Sequence, residues 1–500
     1  MEKISKNRGV LFFIFLISFL TFVLFWPVFL QNKIPFNANL LASFYNPWAQ
    51  EKFVNWEQGI PNKPTGKDDL LIFYPQRTFT TSVLRDREIP FWNPYSFSGN
   101  YHLGLSETAV FYPLNFLFFL PAGRQEILPQ IDVWVFLIII EPIIAGAGMY
   151  LFLKRIVKSE KSAVFGTLAF AFSGVVIVRS VEGLSVGHSL IYLPYVFWGI
   201  EAFFQTKKIR FLWIMLIGLS FSLLAGWFQF TFYIFVFALF YSTVKLYFVK
   251  NQTKFDFLIL TPFLILPIIT LFHTIPTLQA LLEAPRVALE GRIFSYQHLV
   301  PITHIFTLII PDFWGNPAVY NFIGKSEYKE SILFIGVVPL VFSLFSIFKK
   351  KKKEELFFIG AILISFILAI DNPFSRFIIK LPLPVFSSFL PDRIFLITTF
   401  SFCVLAALGF DFLTSGKKEI VLAVIKKSFL FLWIIIFILF VFLLVNVAKD
   451  PGILGRVDAA GINRNIEAIQ FRNSIVPMFL FFITTFLFLI FKNKYSKNIF

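Results

Sequence analysis

Residues 131–153 read IDVWVFLIIIEPIIAGAGMYLFL and run straight into KRIVKSEK at 154–161. An apolar stretch of this length matches the roughly 20 residues that a helix needs to cross a bilayer. The cluster that ends it, Lys154, Arg155, Lys158 and Lys161, is what the positive-inside rule expects of a cytoplasmic connector. Stretches of the same character lie near 10–30, 162–180, 187–204, 210–226, 228–248, 256–275, 331–348, 355–370, 393–413, 428–447 and 474–492. Together they read as an all-α polytopic membrane protein of about 12 transmembrane helices.

Composition points the same way. The chain is 57% hydrophobic and 15% charged, where soluble domains average roughly 45–50% apolar and about 25% charged. A water-soluble core cannot absorb that much apolar surface. The stretch from Val10 to Leu30 is too long for a signal-peptide core and has no small-residue cleavage site after it, so it reads as a retained helix. Cys403 is the sole cysteine and lies in an apolar run, which leaves no intrachain disulfide and no cysteine metal cluster.

The formal charge of +16 suggests nucleic acid at first sight, but the lysines sit in short connectors between apolar runs. Membrane lipids, and no nucleic acid, are the expected partners. Alternate connectors are basic: the N-terminus with Lys3, Lys6 and Arg8, then 154–161, Lys207 to Arg210, Lys245 to Lys254, Lys349 to Lys353, Lys417 to Lys427, and the tail from Lys492. This alternation puts both termini in the cytoplasm of a cell that carries the protein in its plasma membrane. The other connectors, 31–130, 276–330, 371–392 and 448–473, are then extracytoplasmic. Loops of such length usually carry function. No repeat at a fixed period supports the inverted-repeat logic of secondary transporters.

The large first loop is rich in Trp, Tyr, Phe and Pro, residues that pack. Its informative stretches are Lys67-Asp68-Asp69 running to Tyr74-Pro75-Gln76-Arg77, Pro90-Phe91-Trp92-Asn93-Pro94, and Glu107 to Phe111-Tyr112-Pro113-Leu114-Asn115. In that order, with Phe172-Ser173-Gly174, His188, Pro311-Asp312-Phe313-Trp314-Gly315-Asn316 and Pro391-Asp392-Arg393 further on, they resemble the bacterial YfhO-like membrane protein family. The resemblance covers the chain to about residue 414 and thins after that. It divides the chain into a GT-C-like membrane domain over 1–414, with loops 31–130 and 276–330, and a C-terminal pair of transmembrane helices over 415–500 with loop 448–473.

That family is similar to the GT-C glycosyltransferases, which take a sugar from a polyprenyl-phosphate carrier on the outer face of the membrane. The resemblance implies a lipid-linked sugar donor, a cell-envelope acceptor and a carboxylate in the first outer loop, which by position is Asp68 or Asp69. The chemistry asks for a base to take the acceptor's proton and for positive charge on the departing phosphate. Two adjacent carboxylates repel, which favours a proton-accepting role for one of them. The alternative is a solvated turn capping a helix from about Leu70, since Asp is a favoured N-cap.

For the phosphate, the outward arginines Arg77, Arg286, Arg292 and Arg393 are candidates, with guanidinium geometry suited to bidentate contacts. Arg393 at the head of a helix also suits an interfacial anchor. Arg179 is expected to pair locally with Glu182. Glu141 lies at membrane depth, where a carboxylate needs a polar cavity, a partner or a proton. Tyr74, Trp92, Asn93, Glu107, His188, Asp312 and Trp314 complete the expected substrate-binding set, with a turn completed by Gly315 as the alternative for Asp312.

No organic cofactor is implied. The histidines fit no zinc signature, although a divalent cation on Asp68, Asp69, Asp312 and a histidine is compatible with the residue types. A P-loop or a GxGxxG after a strand is absent, which disfavours a cytoplasmic nucleotide-sugar donor. The competing functions are a lipid or solute transporter or flippase lined by Glu141 and Arg179, and a non-catalytic scaffold with a GT-C-like fold.

Overall fold

The computed structural model describes residues 2–497 apart from 52–62, 64, 97, 120–127, 250, 284–295, 351–352, 382–389, 416–417 and 459–460. The helices that organise it are α1 (Glu2–Leu24), α2 (Tyr74–Arg85), α3 (Leu128–Ile156), α4 (Glu160–Ala171), α5 (Gly174–Val181), α6 (Leu184–Leu190), α7 (Leu193–Thr206) and α8 (Arg210–Leu224). They continue with α9 (Phe228–Phe248), α10 (Thr261–Ile269), α11 (Leu271–Glu283), α12 (Val337–Phe348), α13 (Lys353–Ala369), α14 (Phe395–Ser415), α15 (Lys418–Lys449) and α16 (Ile466–Lys497). Among the described residues, five helices are long and apolar enough to cross a membrane, or up to seven when two bent pairs each count as one span. The chain is thus an all-α protein built for a membrane.

The apolar stretches are helical, but several are broken where composition alone reads as continuous. α4 and α5 meet at a bend of 41°, because Ser173 turns out of the helix and accepts from the Val176 N–H with its hydroxyl, a new N-cap. α10 and α11 meet at 67° around Thr270. Leu24 ends α1, and a short separate helix, Trp26–Gln31, follows. α12 starts at Val337 rather than near 331, since the residues before it run extended to Gly336 at φ +100°.

Small residues set the closest helix approaches. A methyl at Gly409 would fall on the Phe342 carbonyl, so its absence lets α14 lie against the backbone of α12. Gly166 does the same for α4 against Ala407 and the Cys403 carbonyl, which makes the buried cysteine a packing residue. Phe152, Phe197 and Phe400 meet at ring distances of 5.0–5.7 Å in the middle of the bundle. Interdigitated aromatics of this kind supply the packing that helix association in lipid relies on.

The connectors sort into two groups by what they touch. The basic ones touch each other: Asp411 accepts from the Lys158 and Ser159 N–H groups at 3.0 and 2.8 Å, Gln205 donates to the Arg155 carbonyl, Lys207 pairs with Asp256, and Lys245 pairs with Glu201. The long ones do likewise. Lys329 pairs with Asp68, Gln229 bonds the Leu390 carbonyl, Val300 bridges to Ile370, and Asn473 donates to the Asp312 carbonyl at 2.6 Å.

Within residues 31–127, a π-turn at Asp69–Phe73 leads into α2, and a two-residue hairpin pairs Trp92 with Tyr101 and Asn93 with Asn100. The Trp92 ring covers Gly99, whose φ of +112° and missing Cβ allow the turn. Phe73, Phe118, Trp134 and Leu184 bury this segment's underside against α3 and α6.

Candidate functional site

Segments that are remote in sequence converge on one cavity of about 520 Å³. Its walls come from Thr65 to Asp68, from Glu182 after α5, from the stretch between Pro317 and Lys329, and from Arg464. Asp68 faces it and pairs with Lys329 at 3.0 Å; the carboxylate is half-exposed, while the ammonium is largely covered. Burial opposes the charge on Lys329, but Asp68 and Glu327 outweigh it and hold the ammonium above its ordinary value. Tyr320, Phe322 and Tyr328 add aromatic faces, and Lys67 and Lys325 add further positive charge. Such a lining suits a hydroxylated, anionic ligand.

Asp69 points elsewhere. It is 4% exposed and accepts one bond, from the Leu184 N–H at 3.3 Å. Desolvation raises its pKa to about 8, against the lowering pull of that N–H and of Lys329. Neither aspartate acts as the expected cap, for the helical turn already begins at Lys67 and Asp68 makes no capping bond. A π-turn here tilts successive carboxylates to different sides, one to the cavity and one to the interior.

A folded pKa above the unfolded one stabilises the fold fully below about pH 4, and that contribution is lost as pH rises through about 8. Wild-type Tm is therefore expected to fall between pH 5 and pH 8.5 relative to Asp69→Asn, by the equivalent of roughly a few kcal/mol. Parallel Tm curves for the two proteins over that range would refute this.

Of the arginines expected to hold a phosphate, Arg77 and Arg393 are committed to internal partners. Arg77 is 2% exposed and donates to the Glu107 and Thr108 carbonyls and to Ser185 Oγ, which ties α2 to α6. Arg393 forms a bidentate pair with Glu330 at 2.7 and 2.9 Å, donates to Gln229, and lies over the Trp227 ring. Arg179 reaches the same Glu330 rather than Glu182, which corrects the local pair expected between them. Glu182 instead accepts from Lys63 and Thr65 at 2.8 and 2.9 Å. Arg286 and Arg292 lie outside the described residues.

Glu141 and His188 meet inside the bundle. The carboxylate lies 2.5 Å from His188 Nδ1, off the axis of a hydrogen bond, and both side chains are fully buried. Gly187 makes room, because a Cβ there would strike the carboxylate. Tyr112 packs on the imidazole and shares a hydrogen bond of 2.8 Å with Tyr192.

Asp312 accepts from the Tyr328 hydroxyl at 2.7 Å and from Asn316, and Gly315 at φ +85° completes its turn. It stands one residue behind the cavity wall. Trp314 packs edge-on against Phe313, Tyr74 packs against Trp134 and Phe36, and Glu107 lends its carbonyl to Arg77. Trp92 and Asn93 build the hairpin, where Asn93 Oδ1 accepts from the Tyr95 N–H. None of Asp312, Trp314, Tyr74, Glu107, Trp92 and Asn93 lines the cavity, nor do Glu141 and His188. His298, Ser326 and Asp392 form a buried cluster beside it, with His298 Nδ1 3.1 Å from Ser326 Oγ and 3.4 Å from Asp392. Among the described residues, no group of three or more His, Cys, Asp or Glu is placed to hold a metal ion.

Sequence reasoning missed Lys329, Tyr328 and Glu182. The run Lys325-Ser326-Glu327-Tyr328-Lys329-Glu330, dense in charge just before an apolar helix, is the signal that could have found the first two. A second cleft, of about 230 Å³, lies between Leu24 of α1, Gly174 and Ile177 of α5, and Ile332 and Phe334. It is apolar and shares Tyr328 with the first cavity. No family model matches the chain, and no curated protein matches it either.

Proposed function

We propose that the protein is a multi-pass plasma-membrane glycosyltransferase that moves a sugar from a polyprenyl-phosphate carrier to a cell-envelope acceptor on the extracytoplasmic face. The observation that carries this reading is the pairing of the two hollows across Tyr328: one polar, aromatic and lysine-lined, the other apolar and bordered by α1 and α5. A sugar phosphate on a hydrocarbon tail has the same division. Asp68 is the base for the acceptor hydroxyl, and Lys329 and Lys325, which line the cavity where Arg77 and Arg393 do not, offset the charge of the departing phosphate.

Twelve crossings with both termini in the cytoplasm fit the contacts between connectors. Basic connectors meet at Lys158 with Asp411 and at Lys207 with Asp256, and long loops meet at Asp68 with Lys329 and at Asp312 with Asn473, as an alternating topology would have them. The test is purified protein in lipid nanodiscs, incubated with polyprenyl-phosphate monosaccharides of several sugars and with cell-envelope fractions. Transfer of label from at least one donor is expected; no transfer from any would overturn the reading.

A second reading, a lipid or solute carrier, is favoured by the buried Glu141 and His188 pair, since ionisable groups at membrane depth often mark a pathway. Translocation of a fluorescent lipid or solute by proteoliposomes, lost in Glu141→Gln, would favour it over transfer.

A further inference from the structure

The stretch from Ile89 to Tyr95 lines neither hollow. Pro90 and Asn93 are buried, while Ile89, Phe91, Trp92 and Tyr95 are exposed, Trp92 to 57% and Tyr95 to 87%. The exposed charged residues Asp86, Arg87 and Glu88 come just before them in the chain. An apolar patch of this kind with a polar border marks an interaction surface.

What covers the patch follows from where it is seated. Neither half of the bent pair, Asp256–Ile269 and Leu271–Glu283, has the length of a span, and only together are they long and apolar enough to cross a membrane. α11 is therefore at membrane depth, leaning 67° away from α10. Its Leu271, Ile275, Leu278 and Leu282 recur at helical spacing along one face and are all exposed, as a face turned to lipid is, whereas His273 is buried.

The hairpin rests on that helix. Gly104 has no Cβ, and one there would fall 2.8 Å from Ala280 of α11 and strike the Tyr101 ring, so the two segments touch. Tyr101 is the cross-strand partner of Trp92, and the Phe91 carbonyl accepts from the His102 N–H at 2.8 Å. Further along, Phe111 meets Phe272 edge-on at 4.9 Å. The exposed rings thus stand beside the C-terminal end of a helix that is itself in the lipid.

We propose that Phe91, Trp92 and Tyr95 anchor the hairpin in the headgroup layer of the leaflet that α11 leans into, so that these aromatics take a lipid surface instead of a sugar. Trp and Tyr suit that layer, because each has an apolar ring for the acyl boundary and a polar handle for water. The inference uses the bent span and the hairpin's seat on it, and it holds whether or not the cavity transfers a sugar.

The experiment places a nitroxide at Phe91→Cys, Tyr95→Cys, Leu278→Cys and Glu327→Cys, one at a time, in the full-length protein in phosphatidylcholine nanodiscs. All four side chains are exposed, so the substitutions spare the fold, and the wild type with its buried Cys403 is the unlabelled blank. Leu278 is the lipid reference and Glu327, on the cavity wall, the aqueous one. Electron paramagnetic resonance then reads collisions with oxygen, which concentrates in lipid, and with a water-soluble nickel chelate. Labels at Phe91 and Tyr95 should keep the oxygen collisions and lose most of the nickel ones, as at Leu278. If both meet nickel as freely as the Glu327 label, the hairpin stands in water and the anchor is overturned. Shielding from both reagents would mean that protein covers the patch, with spin–spin broadening if it is a second copy, and overturns it equally. If the Leu278 label itself meets nickel freely, α11 is outside the lipid and the proposal falls with it.

Discussion

Asp68→Asn is expected to lower the rate of sugar transfer by about 10²–10⁴-fold, the usual contribution of a general base. KM for the lipid-linked donor should change little, because asparagine keeps the shape of the carboxylate and the cavity keeps Lys325 and Tyr328. Folding should be spared. Asp68 is half-exposed, and an ion pair reaching solvent, such as Asp68 with Lys329, contributes about 0–1 kcal/mol. Turnover with a polyprenyl-phosphate hexose, set beside the Tm of each variant, checks this. Asp69→Asn serves as the contrast, since Asp69 faces the Leu184 N–H instead of the cavity and should act on stability before rate. If Asp68→Asn keeps full turnover, the base is another residue.

Why one aspartate of the pair faces the cavity could not be read from adjacency. Lys67-Asp68-Asp69 marks a turn in an outer loop, and the repulsion between neighbouring carboxylates is visible in sequence. Which of them is buried depends on the π-turn and on α6 arriving with a free N–H at Leu184. The same holds for Glu141. A carboxylate in an apolar run announces that it needs a partner, but His188 becomes that partner only when α3 and α6 pack and Gly187 leaves space. The positions of helices were legible because apolar length and basic connectors act locally. The breaks at Ser173 and Thr270 were not, because apolar composition runs through both; only the Ser173-Gly174 pair hints at a restart. The internal partners of Arg77 and Arg393 were hidden for a related reason. Sequence shows a guanidinium near an interface, and a ligand phosphate and an internal glutamate satisfy it equally well.

That internal glutamate makes the sharpest stability prediction. Burial opposes the charge on Glu330, but the guanidiniums of Arg179 and Arg393 outweigh it and hold the carboxyl well below the usual range. Glu330 thus bridges two cations; Arg179 otherwise has the face of Phe230, while Arg393 also has Gln229, the face of Trp227 and the nearby Asp392 carboxylate. Glu330→Ala is expected to cost about 3–5 kcal/mol, because it leaves Arg179 buried without its counter-ion and Arg393 with Asp392 alone. The detergent-solubilised variant should lose several degrees of Tm, and little of it should reach the membrane folded. The sign with pH follows from the depressed pKa: the cluster stabilises fully above the ordinary carboxylate range and loses that contribution as pH falls toward the folded value. Wild type should therefore be acid-sensitive, and Glu330→Ala should be low at every pH. Replacing all three, as Arg179→Met with Glu330→Leu and Arg393→Met, removes the charges along with their desolvation and should recover most of the lost Tm. If Glu330→Ala melts with the wild type, the two arginines have other compensation. If the triple variant melts as low as Glu330→Ala, the cluster acts through its bonds to Gln229 and the loop geometry rather than through charge balance.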